Sequence, residues 1–281
     1  MEDESYDMTL LRMEYLNRKS SSMNHEYTPI VSSKSRFLRA MASNFSFTST
    51  YHSKTYPAIE PSLQEKNIKG KVVFITGGGS GIGRAIAVAF AKAKAASIVI
   101  IGRTKESLDA AKSEIESSSA TTVRAIVADI TIAADIQTAL SCVASELGAV
   151  DIFVNNAGHL AEPAAVASAS VEEWWKSFEV NCRGALLATQ AFLSVASKKA
   201  IMINMSTAGT YSPPTHHLSA YSASKLAFLR VIDFALLENP ELKVIHVHPG
   251  FIRTEMNLKS GIKEIPFDDS MFVLAQHMFY Y

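Results

Sequence analysis

Between Lys71 and Gly250, short apolar runs alternate with longer helical stretches, and this alternation restricts the fold more than any single motif does. "VVFIT" precedes "GRAIAVAFAKAK", "SIVIIG" precedes "ESLDAAKSEIES", and "VRAIVAD" precedes "AADIQTALSCVASEL". "DIFVNNAG" precedes one continuous helical stretch, "VEEWWKSFEVNCRGALLATQAFLSVAS"; "AIMINMS" precedes "AYSASKLAFLRVIDFALLE", and "LKVIHVHPG" ends the series. The runs are rich in β-branched residues and too uniformly apolar to face water on one side, so they read as strands buried on both faces. With helices between them they make βαβ units. The expected fold class is α/β, a doubly wound parallel sheet in a single domain over residues 66–265. Ligands of such sheets bind beyond the carboxyl ends of the strands, so chemistry is sought just after each run.

The flanks differ. Residues 1–65 are rich in Ser, Tyr, Met and charge, lack a period, and contain "SKTYPAIEPSL"; they read as a partly disordered N-terminal extension. The tail over 266–281, ending "DDSMFVLAQHMFYY", has no strand periodicity. Lys and Arg number 27 and Asp and Glu 27, and this balance argues against nucleic acid or an acidic membrane as partner and for a small molecule. The two cysteines, Cys142 and Cys182, are far apart, which suggests no metal site and a reducing compartment. No apolar run approaches the roughly 18 residues needed to span a bilayer, and "MEDESYDM" is acidic where a leader would be basic. The expectation is a soluble cytoplasmic protein.

Strand, glycine-rich turn and helix follow without interruption in "TGGGSGIGRAIA", Thr76 to Ala87. Glycines permit a tight turn and close approach of a pyrophosphate, and a helix starting near Gly81 aims free N–H groups and the positive end of its dipole at that anion. Thr76, Gly77, Gly79, Ser80, Gly81, Ile82 and Gly83 are therefore candidate dinucleotide contacts, although the glycine spacing is wider than the GxGxxG fingerprint. A dinucleotide site of NAD type carries an acid about 20 residues further on, whereas an arginine there accommodates a 2'-phosphate. The second run ends "VIIGRTKES", with Gly102 in the acid's place and Arg103 next, so NADP(H) is favoured over NAD(H). Asp129 and Ile130 follow the third run; Asp129 either accepts from an adenine amino group or caps the next helix. Asn155, Ala157 and Gly158 end the fourth, where Asn155 either touches ligand or bridges neighbouring strands.

Taken together, "TGGGSGIG", "NNAG", Asn181, Ser206 in "NMSTAG", the YxxxK pair Tyr221 and Lys225, and "HPGFIRT" resemble the short-chain dehydrogenase/reductase (SDR) family, in the family's order from Thr76 to Thr254. The resemblance implies a Rossmann fold and an NADP(H)-dependent oxidoreductase that interconverts an alcohol and a ketone or aldehyde by hydride transfer. It implies catalytic roles for Asn181, Ser206, Tyr221 and Lys225. Tyr221 would carry the proton, Ser206 would polarise the substrate carbonyl, and Asn181 would hold a water linking Lys225 to solvent. A phenol with a pKa of about 10 is a poor proton shuttle at neutral pH, and Lys225, at i+4 on the same helical face, would lower it together with the positive nicotinamide. Tyr221 and Lys225 would also contact cofactor ribose, and Pro249, Gly250, Ile252 and Thr254 would lie beside the nicotinamide. The family also implies a homodimer or homotetramer.

Two departures bear on these expectations. "MASNFSFTSTYHSKTYPAIEPS" from Met41 resembles the start of fungal members, which suggests that residues 1–40 are an upstream addition. Members usually continue with a further helix and a seventh strand, for which the residues after "HPGFIRT" leave no room, so a sheet lacking that strand is expected. The competing expectation is a truncated, non-catalytic cofactor-binding protein.

Overall fold

Each apolar run becomes a strand of one parallel sheet, because helices cover the sheet on both sides. The computed structural model describes Pro57, residues 60–250 and residues 252–262. Most of the expected extension over 1–65, the tail over 266–281 and the expectation about a seventh strand lie outside the described residues. The strands are β1 (Val72–Thr76), β2 (Ser97–Gly102), β3 (Thr122–Val127), β4 (Val150–Asn155), β5 (Ala196–Met205) and β6 (Lys243–Val247). Their order is β3-β2-β1-β4-β5-β6, and all neighbours are parallel. The helices that matter here are α1 (Gly81–Lys92), α2 (Lys105–Ser118), α3 (Ala133–Leu147), α4 (Val171–Phe178), α5 (Ala185–Leu193), α6 (Ser219–Glu238) and α7 (Glu255–Lys259). Strand order reverses between β1 and β4, so the loops leaving these two strands diverge and open a crevice.

Alternate residues of a strand face opposite sides, and β1 shows why the run reads as continuously apolar. Val73 and Ile75 join Ile86, Phe90, Ile98 and Ile100 in the layer of α1 and α2. Val72 and Phe74 join Ile136, Leu140, Phe153, Phe192 and Phe228 in the layer of α3, α5 and α6. Phe153 stacks on Phe192 with 4.9 Å between ring centroids and tilts against Phe74 at 6.1 Å, tying β1, β4 and α5 together.

Three boundaries differ from the sequence expectation. The stretch read as one helix stays helical from Val171 to Leu193 but is interrupted by a wider turn: α4 ends at Phe178, a π-helical turn runs from Glu179 to Gly184, and α5 ends at Leu193. Periodicity does not reveal a wider turn of this kind, whose cause is local. Asn181 is buried there, and Gly184 lies so close to Ile130 that a Cβ would stand 3.0 Å from its Cγ1. β5 begins at Ala196, ahead of the apolar pattern, with a register irregularity between Val150 and Ile152 that absorbs the polar Ser197–Lys199. Among the described residues, Pro61–Gln64 form a 3-10 turn and Glu65–Ile68 a helical turn within the stretch read as an extension, and Pro61 is buried.

Phe153 has no exposed surface and touches aromatic partners on two elements. Phe153→Ala should cost about 3–5 kcal/mol of unfolding free energy, read as a lowered urea midpoint at unchanged slope.

Candidate active site

The turn after β1 is shaped by close backbone approach. Gly77 and Gly81 have φ of +67° and +52°, a region L side chains avoid. A Cβ on Gly83 would lie 2.3 Å from the carbonyl oxygen of Gly77, and one on Gly78 would lie 2.6 Å from Cγ2 of Ile100. Ser80, at the start of α1, makes no side-chain cap bond. The glycines thus leave the first-turn N–H groups of α1 little covered by side chains of their own turn, which fits a pyrophosphate. The Gly77, Gly79, Ser80, Gly81, Ile82 and Gly83 set is brought together here.

Thr76 braces this turn. Its Oγ1 accepts from the N–H groups of Asn156 and Ala157, each at 3.0 Å. In return, Asn156 Nδ2 donates to the carbonyls of Thr76 (2.9 Å) and Gly77 (3.2 Å). Asn156 is a further residue of this turn, and its signal in sequence is its place after Asn155 in "NNAG". Asn155 takes its strand-bridging alternative: its Nδ2 donates to Asn204 Oδ1 at 2.9 Å, and Asn204 Nδ2 lies 3.1 Å from His246 Nδ1, a polar ladder across β4, β5 and β6.

Asp129 caps no helix directly; its Oδ1 accepts from the N–H (2.9 Å) and hydroxyl (2.8 Å) of Thr131, forming a tight turn before α3. Ile130, beside it, packs on Gly184. Lys105 pairs with Asp109 at 2.5 Å, whereas Arg103 is exposed at the end of β2 and makes no ion pair among the described residues.

The polar residues expected to act together meet at the carboxyl ends of β4 and β5. Asn181 projects from the π-helical turn and grips residue 159: its Oδ1 accepts from the N–H of His159 at 2.7 Å, and its Nδ2 donates to the His159 carbonyl at 2.8 Å. The second Nδ2 hydrogen goes to Ser224 Oγ at 3.0 Å, and Ser224 donates to the carbonyl of Tyr221 at 2.9 Å. Both N–H groups of this amide are thereby committed. Lys225 is buried and donates to the carbonyl of Met205, the residue before Ser206, at 2.9 Å. A Cβ on Gly158 would stand 3.2 Å from Asn181 Oδ1 and 3.6 Å from Lys225 Nζ, so only glycine leaves that space open.

Five serines, Ser206, Ser212, Ser219, Ser222 and Ser224, lie within 15 residues of Tyr221 in the chain, and their surroundings differ. Ser219 accepts from Trp174, Ser224 bridges Asn181 and Tyr221, and Ser222 Oγ is 2.8 Å from where a Gly209 Cβ would be. Ser212 is in the loop beyond Gly209. Ser206 is buried, anchored by its N–H to the Val247 carbonyl at 2.8 Å, and its hydroxyl makes no hydrogen bond among the described residues.

Tyr221 lines a cavity of about 260 Å³ between the loop after β4, α4 and the start of α6, with Leu160, Glu173, Trp174, His217 and Leu218 among its walls. Its phenol departs from the sequence expectation: Lys225 lies 5.9 Å from the ring centroid, and burial pushes the hydroxyl up to about 12. The same burial pushes Lys225 down to about 8. Desolvation disfavours the charged form of each.

The segment after β6 closes the crevice from above. Thr254 Cγ2 lies 3.5 Å from a Cβ position on Gly81, its Oγ1 caps α7 by accepting from Asn257, and Met256 reaches toward Gly158. Ile252 is buried, and Gly250, next to Pro249, has a φ of +74° at the bend. Lys259 donates to the Leu160 carbonyl at 2.9 Å and pairs with Glu162 at 2.8 Å, tying this segment to the cavity wall. Trp174 and Lys259 carry no sequence signal that would have marked them.

Comparison with known proteins supports the family and the fold. The short chain dehydrogenase family matches residues 71–264. The chain is 36% identical over 233 residues to the short chain dehydrogenase pigC of Monascus ruber, covering 79% of this chain and 75% of that protein. It is 33% identical to the short chain dehydrogenase andI of Emericella variicolor, covering 75% and 73%. A blue fluorescent protein from a metagenomic library, solved in complex with NADPH, superposes with a TM-score of 0.63 at 30% identity, covering 68% of this chain and 78% of that one. The chain belongs to the short-chain dehydrogenase/reductase family, oxidoreductases acting on CH–OH groups. No helix among the described residues is long and apolar enough to cross a membrane.

Two outcomes follow from the buried polar groups. Thr76→Val leaves two N–H groups without an acceptor and should cost about 2–4 kcal/mol of stability, measured by urea denaturation. For Lys225, the unfolded chain binds more protons than the native one between its native value of about 8 and the ordinary value of 10.5. The stability deficit caused by its burial is therefore fully present below pH 8 and shrinks as pH rises through that window. For Tyr221 the native state holds its proton from 10.0 up to about 12, so stability falls over that range. Lys225→Met should remove the first pH dependence and Tyr221→Phe the second, in denaturation midpoints taken against pH.

Proposed function

We propose that the chain is an NADP(H)-dependent oxidoreductase interconverting an alcohol and a ketone or aldehyde, with Tyr221 as proton donor and acceptor. The observation that carries this reading is Lys225: a buried lysine, one helical turn from Tyr221, bonded to the carbonyl that precedes Ser206. Burying an ammonium is costly, and sites that do so without a carboxylate partner are candidates for function.

In this reading Gly77, Gly79, Ser80, Gly81, Ile82 and Gly83 hold the dinucleotide's phosphates, with Thr76 shaping the turn. Asp129, Ile130, Ala157 and Gly158 line its path, with Asn155 tying β4 to β5 beneath it, and Pro249, Gly250, Ile252 and Thr254 cover its nicotinamide end. When bound, the cofactor supplies or takes the hydride. Ser206 donates its uncommitted hydroxyl to the substrate oxygen, a preorganised donor where negative charge develops. Tyr221 keeps its proton until that charge appears and then gives it up, and the Lys225 ammonium stabilises the phenolate that results. Asn181 has spent both N–H groups on His159 and Ser224, so a water linking Lys225 to solvent would use its remaining acceptor capacity.

The preference for NADP(H) rests on Arg103, exposed beside Gly102 where an acid would otherwise bind the ribose. A homodimer or homotetramer in the cytoplasm completes the proposal. Its support is the outward face of α6, where Leu226, Phe234 and Leu237 are exposed.

Assayed with NADPH and a panel of carbonyl compounds, Tyr221→Phe should lower kcat by about 100-fold or more while retaining the thermal shift with NADPH. Parent-like turnover in that variant would remove Tyr221 from the mechanism. A thermal shift in the parent without any turnover would favour a non-catalytic cofactor-binding protein. Arg103→Ala should weaken NADPH binding by about 10-fold and leave NADH binding unchanged, as measured by titration.

A further inference from the structure

The start of α6 is held in an unusual way. Ser219 is the first residue of this 20-residue helix, and its preceding residue Leu218 offers no side-chain cap. A serine at a helix start commonly serves the backbone N–H groups. Here the Ser219 hydroxyl instead accepts from the indole Nε1 of Trp174 on α4, at 3.0 Å. Immediately upstream, His217 has a φ of +66°, a strained conformation for a residue other than glycine, and its carbonyl accepts from the N–H of Ala164 at 3.2 Å. Strain of this kind persists only where surrounding contacts over-determine the backbone. The indole supplies such a contact and is itself fixed by stacking on Phe178, with ring centroids 5.0 Å apart. Trp174 and Tyr221 also line the same cavity.

We propose that Trp174 is a positioning residue for Tyr221: its indole N–H, bonded to Ser219, sets the angle at which α6 delivers the phenol to the cavity. Tyr221 is then held from two sides. Downstream, Asn181 acts through Ser224 on the Tyr221 carbonyl. Upstream, Trp174 acts two residues earlier, where the helix has no cap of its own. Ser219 and Tyr221 are two residues apart in one helix, so a displacement at Ser219 passes to the phenol almost undiminished, and misplacement of about 1 Å at a reacting group is enough to cost rate. The proposal rests on the reading of Tyr221 as proton donor.

The test uses Trp174→Phe, which keeps an aromatic wall and removes the donor, and Ser219→Ala, which removes the acceptor and disturbs packing little. Both are measured in the full chain for steady-state kinetics and for the tyrosinate absorbance assigned to Tyr221 by subtracting Tyr221→Phe. Each variant should lower kcat by about 10-fold with KM for NADPH unchanged, and the double variant should be no worse than either single one. The Tyr221 titration should move by the same amount in both. Unchanged kcat and titration in Ser219→Ala, or additive losses in the double variant, would overturn the proposal. Turnover that depends on Tyr221 but not on Ser219 or Trp174 sinks the positioning role alone. If the parent does not turn over yet both variants shift the Tyr221 titration equally, the catalytic reading fails and the indole contact stands as the determinant of the phenol's setting.

Discussion

The site depends on the brace between the ends of β1 and β4. Thr76 gives one hydroxyl oxygen to two backbone N–H groups of the facing loop, and Asn156 returns two donors to the carbonyls of Thr76 and Gly77. Four bonds thus close the switch point, where strand order reverses and no ladder of sheet hydrogen bonds continues. From this brace the geometry passes outward. The loop after β4 is fixed at Gly158 and His159, Asn181 grips His159, Ser224 grips Asn181, and Tyr221 is held by Ser224. The glycine turn and the backbone of Tyr221 are therefore linked through hydrogen bonds and short stretches of chain.

Electrostatics in this pocket is governed by what has been removed from water. Among the described residues Lys225 hydrogen-bonds to a backbone carbonyl and to no carboxylate, and Tyr221 is shifted in the opposite direction by the same burial. Both shifts favour neutral groups. Charge is admitted into such a site only when something brings a compensating charge, which is the condition under which preorganised donors are worth most. Exposed ion pairs such as Lys259 with Glu162 are of another kind. They contribute about 0–1 kcal/mol and close the segment after β6 without committing it.

The legibility of the site varied with the kind of signal. The glycine turn could be read because close backbone approach excludes every side chain, as the contact positions at Gly78 and Gly83 show. Tyr221 and Lys225 could be read because a helix fixes i and i+4 on one face. The role of Asn155 remained open in sequence, since a strand-end amide serves a ligand or a neighbouring strand equally well, and only the position of Asn204 on β5 decides. Trp174 resembled any amphipathic aromatic on α4; its donor function needs Ser219, 45 residues away.

By itself the sequence determined the alternation of strand and helix, the parallel sheet buried on both faces, and the local motifs at strand ends. These follow from periodicity and from steric rules acting within a few residues. Tertiary structure decided the wider turn at Asn181, the division of labour among five neighbouring serines, and the direction in which burial moves Tyr221 and Lys225. Each of these depends on groups distant in the chain that compete for the same donor, the same acceptor or the same exclusion from water.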